Sequence, residues 1–324
     1  MFGVTILGNN SALPAYDRHP TAQVVSIQDQ SILIDCGEAT QIQMSRYKVK
    51  RSKINHIFIS HLHGDHYFGL IGLITSMGLL GRTNELSIFS PPGLKEIVDM
   101  QLAVAGSSIP YPLHFHTITG AGNLVETTKF KVSCFPTQHR IPCYGFTIAE
   151  NKAPRKINKE KVIAAEIPFH FYDELKKGFD YETKTGELIK NETITDPASP
   201  NKKYVYTADT IFDMNLVAHA MDANLLYHEA TYLEDQTQKA AERFHATTIQ
   251  AATIAKEAGV NRLLIGHFSS KYESIETHAI EARTVFTNTD IVNAAAISIS
   301  GNETNAGVSP TFTDKYNISI DSNH

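Results

Sequence analysis

Residues 56–73, HIFISHLHGDHYFGLIGL, place His61, His63, Asp65 and His66 within six positions. A β-branched apolar run precedes them and a Gly/Leu/Ile-rich segment follows. The run reads as a buried strand ending at the histidines, and the segment as the start of a helix. Gly64 permits a tight backbone turn, and the first helical turn then carries Asp65 and His66. This arrangement aims His61 and His63 to one side and Asp65 and His66 to another. Mixed imidazole and carboxylate donors suit Zn²⁺ or a similar borderline ion, and two clusters can hold two ions. A single histidine there would ordinarily be structural, but the HxHxDH spacing reads as a metal loop.

Two ions need more donors than one loop supplies. His139 closes KVSCFPTQH, Asp209 follows KYVYTA and His267 follows RLLIG, so each falls where a strand end opens into a loop. Alone, each is as readily structural as a ligand; joined to the loop they complete a set. His114 and His116 also have period-two spacing, but no Asp-His follows them and they read as an ordinary strand pair. His228 reads as a core residue, and His56 and His219 carry no signal.

The rest of the chain repeats strand and helix. VTILG, QVVSIQ and SILIDCG read as early strands, EATQIQMSRY as a helix, and GLKEIVDMQLAVAG as a helix ending at Gly106. YPLHFHTI, LVETTKFKVSCFPTQH and CYGFTIAE read as antiparallel strands. KYVYTADT, ANLLYHEAT and NRLLIGHFS then alternate with helices FDMNLVAHAM, TTIQAATIAKEAG and ESIETHAIEARTVF, which implies two α/β halves. Residues 151–202 break the rhythm with Pro154, Pro168, Pro197 and Pro200 and no sustained period, so they read as an insertion projecting from the body. Residues 300–324 are polar and receive no role beyond a possible last strand and a frayed end.

Composition sets the outer bounds. At 324 residues and 42% apolar content the chain can bury a full core. No apolar run approaches the ~18 residues of a membrane span, and no basic segment precedes an apolar one at the N-terminus. Three cysteines without a CxxC suit a reducing compartment, so the chain is expected to be soluble and cytoplasmic. The net charge of −5 argues against a general nucleic-acid footprint. Residues 46–53, RYKVKRSK, nevertheless carry five basic and no acidic side chains, and residues 151–177 carry seven basic against four acidic. These stretches taken alone read as solvated surface.

The HxHxDH signature resembles the metallo-β-lactamase fold. SHLHGDHYFGLIGLITSMGLLGR, with DCGEATQ before it and TADT, HEAT and GHFSS after it, resembles the ribonuclease Z family of tRNA 3′-processing endonucleases, over roughly residues 1–290. The resemblance implies one α/β domain over residues 1–324, an αβ/βα four-layer sandwich with residues 151–202 as an inserted, flexible arm. It makes His61, His63 and His139 ligands of one zinc, Asp65, His66 and His267 ligands of a second, and Asp209 the bridge. In-line attack of water on phosphorus at this dinuclear centre follows, with Asp65 orienting or deprotonating the nucleophile. His245 in RFHAT matches the family's His-Ser-Thr element and becomes the proton donor to the leaving oxygen, held by Glu229. Residue pattern supports its placement: Thr247 and Gln250 form a capping box, so His245 lies just outside a helix N-terminus, where phosphate is favoured.

The same resemblance reads GNNSALPAYDRHPTAQ as a loop that senses the CCA end. Pro14 and Arg18 match the family's Pro-x-Lys-x-Arg-Asn, whereas Tyr16 and His19 replace its Lys and Asn; Arg18 is the expected substrate contact. It reads the insertion as the arm that grips the tRNA elbow, with Arg155, Lys156, Lys159, Lys161, Lys176 and Lys177 as backbone contacts. The family's Gly-Pro pair at the arm tip is replaced around Phe169, His170 and Phe171. Precursor tRNA is therefore the expected partner, in a homodimer whose arms serve each other's active sites. Rival readings are a hydrolase of small phosphodiesters or thioesters, a DNA nuclease of the same fold, and a metal-containing RNA-binding protein without turnover. Fold alone separates none of them.

Overall fold

The computed structural model describes residues 2–151, 154–198, 201–291 and 296–299. Its strands are β1 (Phe2–Gly8), β2 (Ala22–Ile27), β3 (Gln30–Ile34), β4 (Ile54–Phe58), β5 (Leu86–Ser90), β6 (Leu113–Thr117), β7 (Gly122–Glu126), β8 (Phe130–Pro136) and β9 (Tyr144–Glu150). The arm adds β10 (Lys156–Ile157), β11 (Tyr181–Glu182), β12 (Leu188–Ile189) and β13 (Thr195–Asp196). The second half adds β14 (Lys203–Tyr206), β15 (Leu225–Glu229), β16 (Leu263–Gly266), β17 (Thr289–Ile291) and β18 (Ala296–Ser298). Helices are α1 (Thr40–Arg46), α2 (Gly64–Tyr67), α3 (Leu70–Leu79), α4 (Leu94–Val104), α5 (Lys159–Ala164), α6 (Tyr172–Lys177), α7 (Asn191–Ile194), α8 (Leu216–Ala220), α9 (Thr237–Arg243), α10 (Thr248–Glu257) and α11 (Glu276–Arg283).

Among the described residues two seven-stranded sheets form, in the orders β18-β1-β2-β3-β4-β5-β6 and β17-β16-β15-β14-β9-β8-β7. Period-two alternation explains how they stack, because successive side chains point to opposite faces. Val25, Ile27, Ile32, Ile34 and Phe58 of the first sheet meet Phe130, Val132, Phe146, Ile148, Tyr204 and Tyr227 of the second in one shared core. Their neighbours Val24, Leu33 and Ile57 face the opposite way and pack with Met44, Leu73, Ile74 and Val98 of the outer helices. On the other side Val205, Leu226 and Ile265 pack with Ala251, Ala252, Ile254 and Ala282. The expected αβ/βα sandwich is therefore present. No helix among the described residues is long and apolar enough to cross a membrane.

Three expectations change. β6 runs parallel to β5 as the edge of the first sheet, so the antiparallel reading of YPLHFHTI is wrong. LVETTKFKVSCFPTQH is two strands, β7 and β8, paired antiparallel around a turn at residues 127–129. The insertion, read as lacking internal pattern, has its own small core of Val162, Ile167, Leu175 and Ile194. Two short ladders and three helices frame that core, whose members are too far apart in sequence to register as a period. The polar tail, residues 300–324, lies outside the described residues.

Candidate active site

The metal loop leaves the end of β4 and enters the single turn α2, which carries Asp65 and His66 as expected. Gly64 does not take an unusual turn; a Cβ there would lie 2.1 Å from the ring of the exposed Phe68, which would have to turn aside. From the second sheet, His139 follows β8, Asp209 follows β14 and His267 follows β16, and all reach the same rim. Two donor groups result, His61–His63–His139–Asp209 and Asp65–His66–His267, with a third, Asp209–His245–His267, overlapping them, and in each the donor atoms lie within 4.8 Å of one another. Asp209 spans them: its Oδ2 is 3.6 Å from His61 Nε2 and 3.9 Å from His139 Nε2, while its Oδ1 is 3.3 Å from His267 Nε2. Asp65 Oδ2 lies 3.4 Å from His267 Nε2 and 3.6 Å from His66 Nε2.

This donor set fits metal ions. His63 Nδ1 lies 3.0 Å from His61 Nε2 and 3.1 Å from His139 Nε2, and His66 Nε2 lies 3.4 Å from His267 Nε2. Tetrahedral Zn–N bonds would place two nitrogens about 3.3 Å apart. Outer partners select which nitrogen faces inward. Asp35 Oδ2 accepts from His66 Nδ1 at 2.8 Å and from Ser60 Oγ at 2.9 Å. Ser60 Oγ is thereby left to accept from His61 Nδ1 at 3.0 Å. Phe244 O accepts from His139 Nδ1 at 3.0 Å. Thr231 Oγ1 donates to Glu229 Oε2 at 2.7 Å and accepts from His267 Nδ1 at 2.9 Å. Four imidazoles therefore turn their Nε2 atoms towards the site.

Electrostatics agrees with that demand for cations. Burial and the neighbouring imidazoles hold His61 well below its usual range, and burial and His139 hold His63 at about 4. His66 is pushed well above its usual range: burial opposes this, but Asp209, Asp65 and Asp35 outweigh it. Asp209 is held well below the usual carboxylate range, against burial, by His267, His66 and His61. Buried carboxylates are thus drawing positive charge into a cage of imidazoles.

His245 sits between α9 and α10, after Phe244 in the left-handed conformation (φ 59°) and before the Thr247–Gln250 capping box. Its Nδ1 donates to Glu229 Oε1 at 2.8 Å, so the expected pair exists. Glu229 is fully buried, and its carboxylate also accepts the Thr210 and Thr231 amides at 3.0 and 3.2 Å. Burial alone would lower the His245 pKa, but Glu229 overrides it and raises it to about 9. The ring lies 5.3 Å from both His139 and His267, at the edge of the two ligand groups.

The remaining candidates divide. Arg18, expected to touch substrate, is 3% exposed, and its Nε, Nη1 and Nη2 bond to Asn10 Oδ1, Glu273 O and Tyr272 O. Three of its five N–H groups therefore bond within the protein, and the substrate contact stays an expectation. Arg155 is half-buried and bonds to Thr195 Oγ1 at 2.7 Å. Lys156, Lys159, Lys161, Lys176 and Lys177 are exposed, the last two paired with Asp173 and Glu174. His114 and His116 stay on the exposed edge β6, the latter stacked on Phe89. His228 is buried and donates to Glu229 O. Asp35, Ser60, Thr231 and the Phe244 carbonyl were missed; an aspartate closing the apolar SILID was the one readable sign.

Comparison with known proteins agrees with this geometry. The family model described as Anti-Pycsar protein Apyc1 matches residues 2–169. A ribonuclease Z of Bacteroides fragilis is 45% identical over 290 residues, covering 89% of this chain and 95% of that protein. The crystal structure of human tRNase Z, short form, superposes with a TM-score of 0.68 at 26% identity, covering 92% of this chain and 99% of the human one. YhfI of Bacillus subtilis, a metallo-β-lactamase fold protein, aligns with a TM-score of 0.65 at 21% identity over 91% of this chain and 98% of its own, and shows the fold. With its metallo-β-lactamase sandwich, a first half that fits the Apyc1 family model, and near full-length likeness to curated relatives, the chain belongs to the ribonuclease Z family, a family of hydrolases.

Proposed function

We propose that this chain is a metal-dependent endoribonuclease that removes 3′ trailers from tRNA precursors and leaves a 3′-hydroxyl on the tRNA. The observation that carries the reading is the Glu229–His245 pair set beside two donor groups, with Asp209 of one 3.3 Å from His267 of the other, in a chain 45% identical to a ribonuclease Z. The metal would be zinc, two ions per chain, for which His61, His63, His139, Asp65, His66, His267 and Asp209 would be the ligands. Bound ions supply Lewis-acid charge at the scissile phosphate and lower the pKa of nearby water. Asp65 would orient or deprotonate the nucleophile. His245, kept protonated by Glu229, delivers a proton from Nε2 to the leaving O3′.

The same reading makes the chain one catalytic domain whose segment 151–202 is a tRNA-binding arm, with Arg155, Lys156, Lys159, Lys161, Lys176 and Lys177 as backbone contacts. It makes the protein a homodimer, each arm serving the other subunit's site. Ile42 on α1, Leu79 and Leu80 at the end of α3, and Met100 and Val104 on α4 are exposed on the helices covering the first sheet, which supports a second copy there. Cytoplasmic residence is supported by three buried, unbridged cysteines.

Incubation of the zinc-loaded protein with a precursor tRNA, followed by mapping of both new ends, tests the proposal. The expected products are a tRNA with a 3′-hydroxyl and a 5′-phosphorylated trailer. Hydrolysis of a chromogenic phosphodiester without tRNA cleavage would transfer the function to small substrates. tRNA binding with no turnover of either substrate would make the chain a non-catalytic binder.

A further inference from the structure

Arg18 belongs to the loop between β1 and β2, and this loop touches the metal site at one atom. The Ala12 amide donates to Asp65 Oδ2 at 2.7 Å. Ala12 holds φ 65°, and Tyr16 and Asp17 hold φ 51° and 57°, so three residues bearing a Cβ within six positions are left-handed. Such backbone persists only where surrounding contacts over-determine it. Those contacts converge on Arg18 and Asn10. Asn10 Nδ2 donates to Leu13 O at 2.6 Å, and its Oδ1 accepts from Arg18 Nε at 2.9 Å. Arg18 Nη1 donates to Glu273 O at 2.8 Å and its Nη2 to Tyr272 O, tying the loop to the segment beyond β16. The Ser11 amide donates to Phe268 O at 2.9 Å, and the Phe268 amide to Asn9 O at 3.0 Å. Phe268 directly follows His267, itself at φ 60°.

We propose that Arg18 is a positioning residue for one of the two ligand groups: it locks the 9–18 loop onto the 268–273 segment, and so aims both Asp65, through the Ala12 amide, and His267, through the backbone of Phe268. The three residues of the other group that carry imidazoles, His61, His63 and His139, are oriented by Ser60, by packing on each other and by Phe244 O, none of them in this loop. The inference rests on the metal-site part of the proposed function and not on tRNA as substrate. It assigns Arg18 an effect on one metal equivalent, where a substrate contact would affect tRNA affinity and a general structural role would affect both equivalents alike.

The test is Co²⁺ titration of the metal-free full-length chain against a competing chelator, followed by its visible absorption, for wild type, Arg18→Lys and Arg18→Met. One equivalent is expected to weaken by about 10- to 100-fold in Arg18→Met, the usual range for loss of an orienting partner, while the other stays within about twofold. Arg18→Lys keeps the charge but cannot reach all three acceptors, so it should show a smaller loss at the same equivalent. Hydrolysis of a chromogenic phosphodiester should lose kcat with little change in KM. In Arg18→Ala, added methylguanidinium should restore the weakened equivalent, which an irreversibly misfolded chain would not allow. Two wild-type equivalents in Arg18→Met, with only the KM for precursor tRNA raised, would return Arg18 to substrate binding and overturn the proposal. Equal weakening of both equivalents in Arg18→Lys and Arg18→Met, or no recovery with methylguanidinium, would overturn it in favour of a general structural role.

Discussion

Glu229 orients His245 and His267 at once: its Oε1 accepts the His245 Nδ1–H at 2.8 Å, and its Oε2 accepts the Thr231 hydroxyl whose oxygen faces His267 Nδ1 at 2.9 Å. One buried carboxylate therefore couples the proposed acid to a proposed metal ligand. Four donors converge on it, so the side chain must accept at both oxygens.

Glu229→Gln separates the two duties. The amide keeps the size but removes the charge that raises the His245 pKa to about 9. A raised pKa keeps the imidazole protonated up to that value and loses the proton as pH rises through it. The alkaline limb of kcat should therefore move to lower pH in the variant, with a rate loss of roughly 10²-fold at pH 8 and a smaller loss at pH 6. An unshifted limb with intact metal content would remove His245 as the acid.

Asp35 makes the corresponding link on the first sheet. It is fully buried, takes φ 55°, and accepts from the Ser60 amide, the Ser60 hydroxyl, the Tyr206 hydroxyl and His66 Nδ1. It thus steadies His66 directly and His61 through Ser60. Asp35→Asn turns an acceptor against these donors, and about 1–3 kcal/mol of stability should go with each partner left unsatisfied. Zinc competition should show both equivalents weakened, in contrast to the Arg18 variants. Tyr206→Phe removes a single donor and should keep both; loss of zinc there equal to that in Asp35→Asn would discredit the account.

How much of this could be read from the chain follows from how local each signal is. The metal loop was legible because four donors stand in six positions, and His139, Asp209 and His267 because each closes an apolar strand. Strand alternation was equally local, as in Val24 facing out and Val25 facing in. Asp35 was not legible in role, since its partners come from residues 60, 66 and 206. The burial of Arg18 was not legible, because it depends on carbonyls more than 250 residues away. The direction of β6 depends on pairing with β5 rather than on its own pattern.

His278 supplies a stability signal away from the chemistry. It is fully buried on α11 against Phe268 and Tyr272, and neither ring nitrogen has a hydrogen-bond partner among the described residues. Burial, with Arg18 and Lys271 nearby, holds it down to about 4. The unfolded chain therefore takes up this proton first: the stability is complete above about pH 6.5 and declines as pH falls towards 4, by up to about 3 kcal/mol. Denaturant unfolding of the metal-free chain should show His278→Leu close to wild type at pH 7.5 and more stable than it at pH 5. Parallel decline of the two proteins across that window would contradict the assignment.

The arm offers the sharpest division between a tRNA enzyme and a hydrolase of small phosphodiesters. It departs from β9 and returns to β14, strands already paired antiparallel, and the Glu150 amide donates to Lys202 O at 2.8 Å. Its ends are therefore adjacent, and its core of Val162, Ile167, Leu175 and Ile194 is separate from the cores of the sandwich. Replacing residues 152–201 with a short Gly/Ser linker should leave zinc content and hydrolysis of a chromogenic phosphodiester near their original values. Precursor tRNA binding should weaken by roughly tenfold or more, and the remaining cleavage should respond less steeply to salt, because the lost basic side chains no longer release counterions from phosphates. Lys156, Lys159 and Lys161 should carry most of that change. Lys176 and Lys177 already pair with Asp173 and Glu174, so their substitution alone should cost less. Mixing arm-deleted chains with Asp65→Ala chains should restore some tRNA cleavage, since in the proposed homodimer a mixed pair joins an intact site to its partner's arm. Unchanged tRNA processing by the arm-deleted protein would remove the arm from the mechanism and leave the small-substrate hydrolase as the better description.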